Sequence, residues 1–351
     1  MKRAVCRARD GAMLKKVKLD EAIGMVLGHD MTKVIPGKYK GAAFRRGHVV
    51  REEDIPELLS MGKEHIYILE PESDEVHEEE AALRIGRAVA GPGLELTEPR
   101  EGKVTIKAGS FGLLKVDVSL LGRINAIGDI ILATVHNNTV CRPGDMVAGT
   151  RVTPLYTSEG QIARVEEFCR ERGVLEIIPF EAKRVGVVIV GNEVFSGRIE
   201  DRFGEVIAAK VAGFGSSVSA KTVVPDNIDL VAQAITGMKD GGCEVIVACG
   251  GMSVDPDDVT VEGVEKAGAE IVSYGAPVLP GSMLLYARLG EIPVLGVPAC
   301  VLHDPATIFD LVLPRVMAGD DLSREDIIKL GHGGLCLRCE DCDFPICPFG
   351  K

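Results

Sequence analysis

The chain has 351 residues, 46% of them hydrophobic and 26% charged, with a formal net charge of −12 at pH 7. That length suffices for two or three domains with their own cores. The acidic balance argues against broad binding of nucleic acid or of an anionic membrane surface, both of which attract basic faces. No apolar run approaches the roughly 20 residues of a membrane-spanning helix. MKRAVCRARDGAMLKKVKLDEA has a basic start but no apolar core, so it is not read as a secretory signal. The cytoplasm is the expected location.

Taken in chain order, residues 1–80 are expected to be a mixed α/β segment. LLSMG (58–62) reads as a helix end with Gly62 past its last turn. HIYIL (65–69) reads as a short strand. The charge run PESDEVHEEE (71–80) reads as a linker or helix start. Residues 81–183 are expected to be a β-rich middle domain. KVTIKAG, LLKVDVSLLG and DIILATV alternate like strands, one helix is expected among them, and QIARVEEFCRERG (161–173) reads as a linker helix. His136, Asn137 and Asn138 read as a polar turn.

From residue 184 the apolar runs become continuous: VGVVIV, EVIVA and IPVLGV. Such runs suit strands buried on both faces of a parallel sheet. Helical patterns over 201–215, 227–242 and 259–268 lie between them, and 305–319 reads as a closing helix interrupted by Pro314. Residues 184–319 are therefore expected to be an α/β domain, an open mostly parallel sheet with helices on both faces.

Ligands of such sheets bind beyond the carboxyl ends of the strands. The stretches found there are GNEVFSGRIED, PDN, CGGMSVDPDD, GAPVLPGSM and GVPAC. They bring glycines together with Asn192, Glu193, Asp201, Asp226, Ser253, Asp255, Asp257 and Asp258. Gly250, Gly251 and Ser253 offer backbone and hydroxyl donors to an oxyanion. Aspartates beside such a loop call for a divalent cation, and Mg²⁺ takes one or two carboxylates plus substrate phosphate. A phosphorylated ligand with Mg²⁺ is the reading from the residues alone. No GxxxxGK[ST], GxGxxG after a strand, or GxSxG is present, which sets aside the usual nucleotide hydrolases, dehydrogenases and esterases.

VGNEVFSGRIEDRFG, CGGMSVDPDDVT, LPGSM and GVPACVLHDP resemble the motifs of molybdopterin-binding domains from molybdenum-cofactor biosynthesis. The N-terminal stretch IGMVLGHDMT to HIYIL resembles the opening region of molybdopterin molybdotransferase. The resemblance covers residues 184–319 well, 15–70 less closely and 80–180 poorly. It implies molybdopterin, or adenylated molybdopterin, as ligand, with molybdate as co-substrate. It implies that Asp226 and Asp258 act on Mg²⁺ and the phosphoryl or adenylyl group. It implies ligand contacts from Asn192, Glu193, Asp201, Gly250, Gly251, Ser253, Pro280, Gly281, Gly296 and Pro298. It also implies a homo-oligomer, dimer or trimer, in contact with a molybdoenzyme or its maturation factor. Asp255, Met283 and Ala299–Cys300 depart from the family pattern. Those departures leave two functions in view: a transferase assisting Mg²⁺-dependent molybdate insertion, and a non-catalytic binding, delivery or sensing protein for the cofactor.

Of ten cysteines, four fall in the last sixteen residues. Cys336, Cys339, Cys342 and Cys347 are spaced C-x2-C-x2-C-x4-C-P, one residue longer at the end than the bacterial ferredoxin run. Residues 320–351 are expected to be a metal-binding tail. Its four thiolates suit a structural Zn²⁺ site, toward which the small acidic tail tilts the reading, or a [4Fe–4S] cluster.

Overall fold

The computed structural model describes residues 6–7, 13–25, 27–35, 39–45, 48–68, 74–154, 156–252 and 258–351. The chain forms two compact units, Met1–Ile177 and Ile178–Lys351.

In the first unit, strand Met13–Lys18 pairs antiparallel with His65–Ile68, and Met31–Ile35 with Tyr39–Phe44. Val17, Leu27, Leu58 and Ile66 are buried together beneath them. Further along, Leu94–Leu96, Lys103–Ala108, Met146–Val152 and Ile130–Thr134 make a four-stranded antiparallel sheet. The charge run before it is a helix start. His77 accepts from the Glu79 N–H and caps helix Glu78–Val89, whose three leading glutamates complement the helix dipole. His136–Asn138 is a polar turn: Asn137 Oδ1 accepts from the Val116 N–H at 2.9 Å, and Asn138 takes a left-handed φ of 63°.

Where the sequence predicts one helix within 81–155, there are two. VDVSLLG alternates as a strand would, but Asp117 Oδ1 accepts from the Leu120 N–H at 2.9 Å. That cap satisfies an orphan donor at the first turn and starts helix Val118–Asn125 directly after strand Gly112–Val116.

The second unit holds a six-stranded mixed sheet. Its strands are β1 (Arg184–Val190), β2 (Ser217–Val224), β3 (Val245–Cys249), β4 (Glu270–Tyr274), β5 (Leu285–Leu289) and β6 (Ile292–Val297). The order is β2-β1-β3-β6-β5-β4. The first four in that order are mutually parallel, and β6-β5 and β5-β4 are antiparallel. The carboxyl ends of β1, β2, β3, β6 and β4 therefore share one edge.

The helices are α1 (Asn192–Phe195), α2 (Phe203–Ala212), α3 (Ile228–Asp240), α4 (Thr260–Lys266), α5 (Ile308–Met317) and α6 (Arg324–Lys329). The continuous strand pattern has the expected cause. Val185, Val187 and Ile189 of β1 pack with α2 and α5 through Ile207, Val211 and Phe309. Val188 and Val190 pack on the other face with α3 and α4 through Val231, Ile235 and Val264.

Pro314 does not interrupt the closing helix; it lies within α5. The one backbone bond it removes is outweighed by burial of Val312, Leu313, Val316 and Met317 in the core. The chain beyond α6 stays with this unit, and its Phe349 is buried in the same core as α5. No helix among the described residues is long and apolar enough to cross a membrane.

Candidate functional site

Each parallel strand delivers a polar turn to the shared edge. The Gly191 N–H donates to the Val224 carbonyl at 3.1 Å, joining the ends of β1 and β2. Beyond that joint Asn192 and Asp226 bond reciprocally. The Asn192 N–H donates to Asp226 Oδ2 at 2.9 Å, and the Asp226 N–H to Asn192 Oδ1 at 3.4 Å. Asn192 and Glu193 are exposed and Asp226 is half-buried. Asn227 then caps α3 by accepting from the Leu230 N–H, so the acid is held between a strand end and a helix start.

The end of β3 turns through Gly250 and Gly251, with φ of 92° and 60°. A Cβ at Gly250 would collide with the Val190 carbonyl oxygen, so only glycine lets the turn lie against the end of β1. Buried Thr260, the first residue of α4, holds both carbonyls of the turn. Its Oγ1 donates to the Gly250 oxygen at 2.7 Å and its N–H to the Gly251 oxygen at 3.0 Å. A Cβ placed on Gly251 would stand 3.7 Å from Asp226 Oδ1, so the acid and the turn are neighbours. Ser253, Asp255 and Asp257 lie outside the described residues.

Asp258 is half-buried just before α4. Burial raises the pKa of the Tyr274 phenol, and the charges of Asp258 and Glu262 raise it further. Tyr274 closes β4 and its hydroxyl donates to the Met252 carbonyl at 2.9 Å, binding the fourth strand end to the glycine turn.

Asp201 is already occupied. Its Oδ1 accepts from the Gly204 N–H at 3.1 Å at the start of α2, and its Oδ2 pairs with Lys221 at 3.0 Å. Burial raises the pKa of the Cys249 thiol, and the Asp201 charge adds to the effect.

Pro280 and Gly281 are buried where the chain meets α5. The Pro280 carbonyl accepts from the Ile308 N–H at 3.1 Å. Gly281 has φ of 114°, and a Cβ there would collide with Ile308. Pro298 leads from β6 into the short turn Ala299–Leu302 on the same edge. Gly296 is not in a loop: it pairs with Ala248 and Leu285 inside the sheet, where a side chain would collide with Met252. The edge thus brings Asn192, Asp226, Gly250, Gly251 and Asp258 into one neighbourhood. Tyr274, Thr260 and Lys221 shape it without having been singled out from sequence. Tyr274 ends a strand on the ligand edge, which was the only available signal.

The tail docks on this edge too. The Leu279 N–H donates to the Gly334 carbonyl and the Cys336 N–H to the Leu279 carbonyl, both at 2.8 Å. Cys336, Cys339, Cys342 and Cys347 all line one cavity of about 150 Å³. Among the described residues, no three His, Cys, Asp or Glu side chains already converge as a ligand set for one ion.

Comparison with known proteins matches two stretches of the chain. A family model described as a probable molybdopterin binding domain matches residues 186–318, and a domain of unknown function matches residues 16–70. A CinA-like protein of Amoebophilus asiaticus is 31% identical over 83 residues, 24% of this chain and 20% of its own length. One from Mycobacterium tuberculosis is 36% identical over 90 residues, 25% of this chain and 21% of its own. The matched stretch spans about a fifth of these curated relatives. Two solved structures each resemble part of the chain. The protein CinA from Thermoplasma acidophilum has 20% identity and a TM-score of 0.34, covering 38% of this chain and 98% of that one. The molybdopterin biosynthesis enzyme MoaB from Thermus thermophilus has 21% identity and a TM-score of 0.33, covering 39% and 97%. Residues 186–318, the stretch that carries the Asn192–Asp226 joint and the glycine turn, are a domain of the molybdopterin-binding family of molybdenum-cofactor biosynthesis.

Proposed function

We propose that the second unit binds molybdopterin or adenylated molybdopterin along the carboxyl edge of its sheet, and that the protein assists Mg²⁺-dependent molybdate insertion. The observation that carries this reading is the reciprocal Asn192–Asp226 bonding beside the Gly250–Gly251 turn. It supports a site in which backbone donors and a carboxylate stand together.

An anionic ligand beside aspartate requires a cation between them. Mg²⁺ needs only one or two carboxylates when substrate phosphate and water complete its shell. The donor set suits such a shared ion, with Asp226 and Asp258 as the residues that would hold it. Bound Mg²⁺ supplies charge neutralisation at the phosphoanhydride. The chain's own groups do the positioning. Asn192 fixes one oxygen of Asp226, Thr260 fixes the glycine turn, and Tyr274 ties that turn to β4. In this reading Asp201 and Gly296 act by supporting the edge. The tail binds Zn²⁺ or a [4Fe–4S] cluster through its four cysteines. The protein works in the cytoplasm as a homo-oligomer that serves a molybdoenzyme or its maturation factor.

The test is AMP release from adenylated molybdopterin, with Mg²⁺, with and without molybdate, on anaerobically purified protein. Molybdate-dependent release is expected, and loss of release in Asp226→Ala and Asp258→Ala with unchanged circular dichroism. Release retained in both variants would remove the mechanism. The docking of the tail on Leu279 favours a second reading, delivery or sensing of the cofactor without turnover. That reading is distinguished by tight pterin binding with no AMP released.

A further inference from the structure

We infer that the cysteine cavity of the tail holds a [4Fe–4S] cluster, not a single zinc ion, seated on the loops that border the ligand edge. This deepens the metal-binding part of the reading above by choosing the group.

The first ground is room. The cavity of about 150 Å³ is bordered by all four tail cysteines, and it would hold about five water molecules. A structural zinc draws its sulfurs to roughly 2.3 Å in a closed tetrahedron, which leaves no space between the ligands. Four cysteines that line one cavity without converging on a single point match a polynuclear core, in which each thiolate would hold a different iron.

The second ground is the wall. Phe344, Pro348, Phe349, Leu335 and Leu337 make it largely apolar. Phe349 is buried and stacks edge-on to Phe344, with centroids 6.1 Å apart. Phe344 and Phe349 give that wall an apolar base, while Leu335 and Leu337 stand exposed at its rim. The third ground is the geometry of the first ligand turn. Arg338, between Cys336 and Cys339, has φ of 52°, a left-handed conformation that is strained for a non-glycine residue. Its guanidinium lies 3.5 Å from Asp304, so the strained turn is pinned to the loop after β6.

The seat has two sides. Asp304, Pro305 and Ala306 contribute to the cavity from the loop after β6. Leu279, from the loop after β4, is bonded on both sides by the backbone of Gly334 and Cys336. The cluster therefore shares its supports with Pro280, Gly281 and Pro298.

Assembly joins two ferric, two ferrous and four sulfide ions to four thiols, which release four protons. No net electron transfer is needed, and the [4Fe–4S]²⁺ core on four thiolates carries two negative charges.

The experiment uses the full chain, purified anaerobically and offered ferrous and ferric iron with sulfide, and in a parallel sample Zn²⁺. Iron, acid-labile sulfide and zinc are counted per chain, and the dithionite-reduced sample is examined by electron paramagnetic resonance. The expected result is about four irons and four sulfides per chain with a reducible cluster signal. Cys342→Ser should lose the signal while its circular dichroism and pterin binding persist. Retention of the wild-type cluster in both Cys342→Ser and Cys347→Ser would overturn the ligand assignment. One zinc, no sulfide and no iron uptake would overturn the cluster but leave a metal-binding tail. Uptake of neither metal would overturn both. Pterin binding, measured on the same samples, reports the ligand edge independently.

Discussion

In the first unit Arg84 reaches Glu159 at 2.7 Å and Glu166 at 2.8 Å, tying helix Glu78–Val89 to helix Glu159–Phe168. Asp117 caps a helix and pairs with Arg172. At the carboxyl edge of the second unit, Asp226 is instead held by the backbone N–H of Asn192. The second unit follows the first unit's habit elsewhere: Arg315, near the far end of α5, pairs with Asp320 at 2.5 Å and Asp326 at 3.5 Å. A carboxylate paired with a cation has its charge compensated within the fold. One oriented by a neutral amide, beside a glycine turn at strand ends, keeps a negative charge that an incoming cation can meet. The contrast separates acids that brace the fold from acids suited to a ligand.

Four substitutions break or sharpen that contrast. Gly250→Val should have the largest effect, because its Cβ collides with the Val190 carbonyl and its φ is 92°. A loss of about 2–4 kcal/mol is expected, read as a lower urea midpoint, with pterin binding lost. Asp226→Asn keeps an acceptor for the Asn192 N–H and removes only the charge. Stability should change by less than about 1 kcal/mol, while Mg²⁺-supported pterin affinity falls roughly hundred-fold, about 2.7 kcal/mol.

Arg84→Ala should do the opposite. It leaves Glu159 and Glu166 uncompensated and should destabilise the first unit by about 1 kcal/mol, with pterin affinity unchanged by titration calorimetry. Asp117→Asn should have the smallest effect, visible in its pH dependence. The Leu120 backbone N–H, despite partial burial and helped by Arg172, holds the Asp117 carboxyl below its ordinary 3.8. A depressed acid stabilises the fold above its unfolded-state pKa, and that contribution is lost as pH falls through the folded-state value. Wild-type melting temperature should therefore fall more steeply than that of Asp117→Asn below about pH 4.

Much of the second unit was legible because VGVVIV and the VIVA of EVIVA are apolar at every position, which suits a doubly covered strand. Helix Val118–Asn125 was hidden because VDVSLLG alternates, and its Asp117 cap is recognisable only once the turn is formed. Strand direction placed Asp226 and Gly250 on a common edge, but sequence carries no distance, so Tyr274 and Thr260 went unseen. Gly296 read as a ligand residue because GVPACVLHDP resembles a loop of the family, yet its backbone pairs on both sides within the sheet. The cysteine spacing suggested four ligands, and the small acidic tail tilted the reading toward zinc. The cavity that all four cysteines line came only with the structure.

The most direct measurement is the molybdopterin dissociation constant with and without Mg²⁺, for wild type and Asp226→Asn under anaerobic conditions. Saturable binding that Mg²⁺ tightens in wild type, with that dependence gone in Asp226→Asn, is the predicted result. No binding by wild type, or the same Mg²⁺ response in both proteins, would contradict the assignment of this edge as the ligand site.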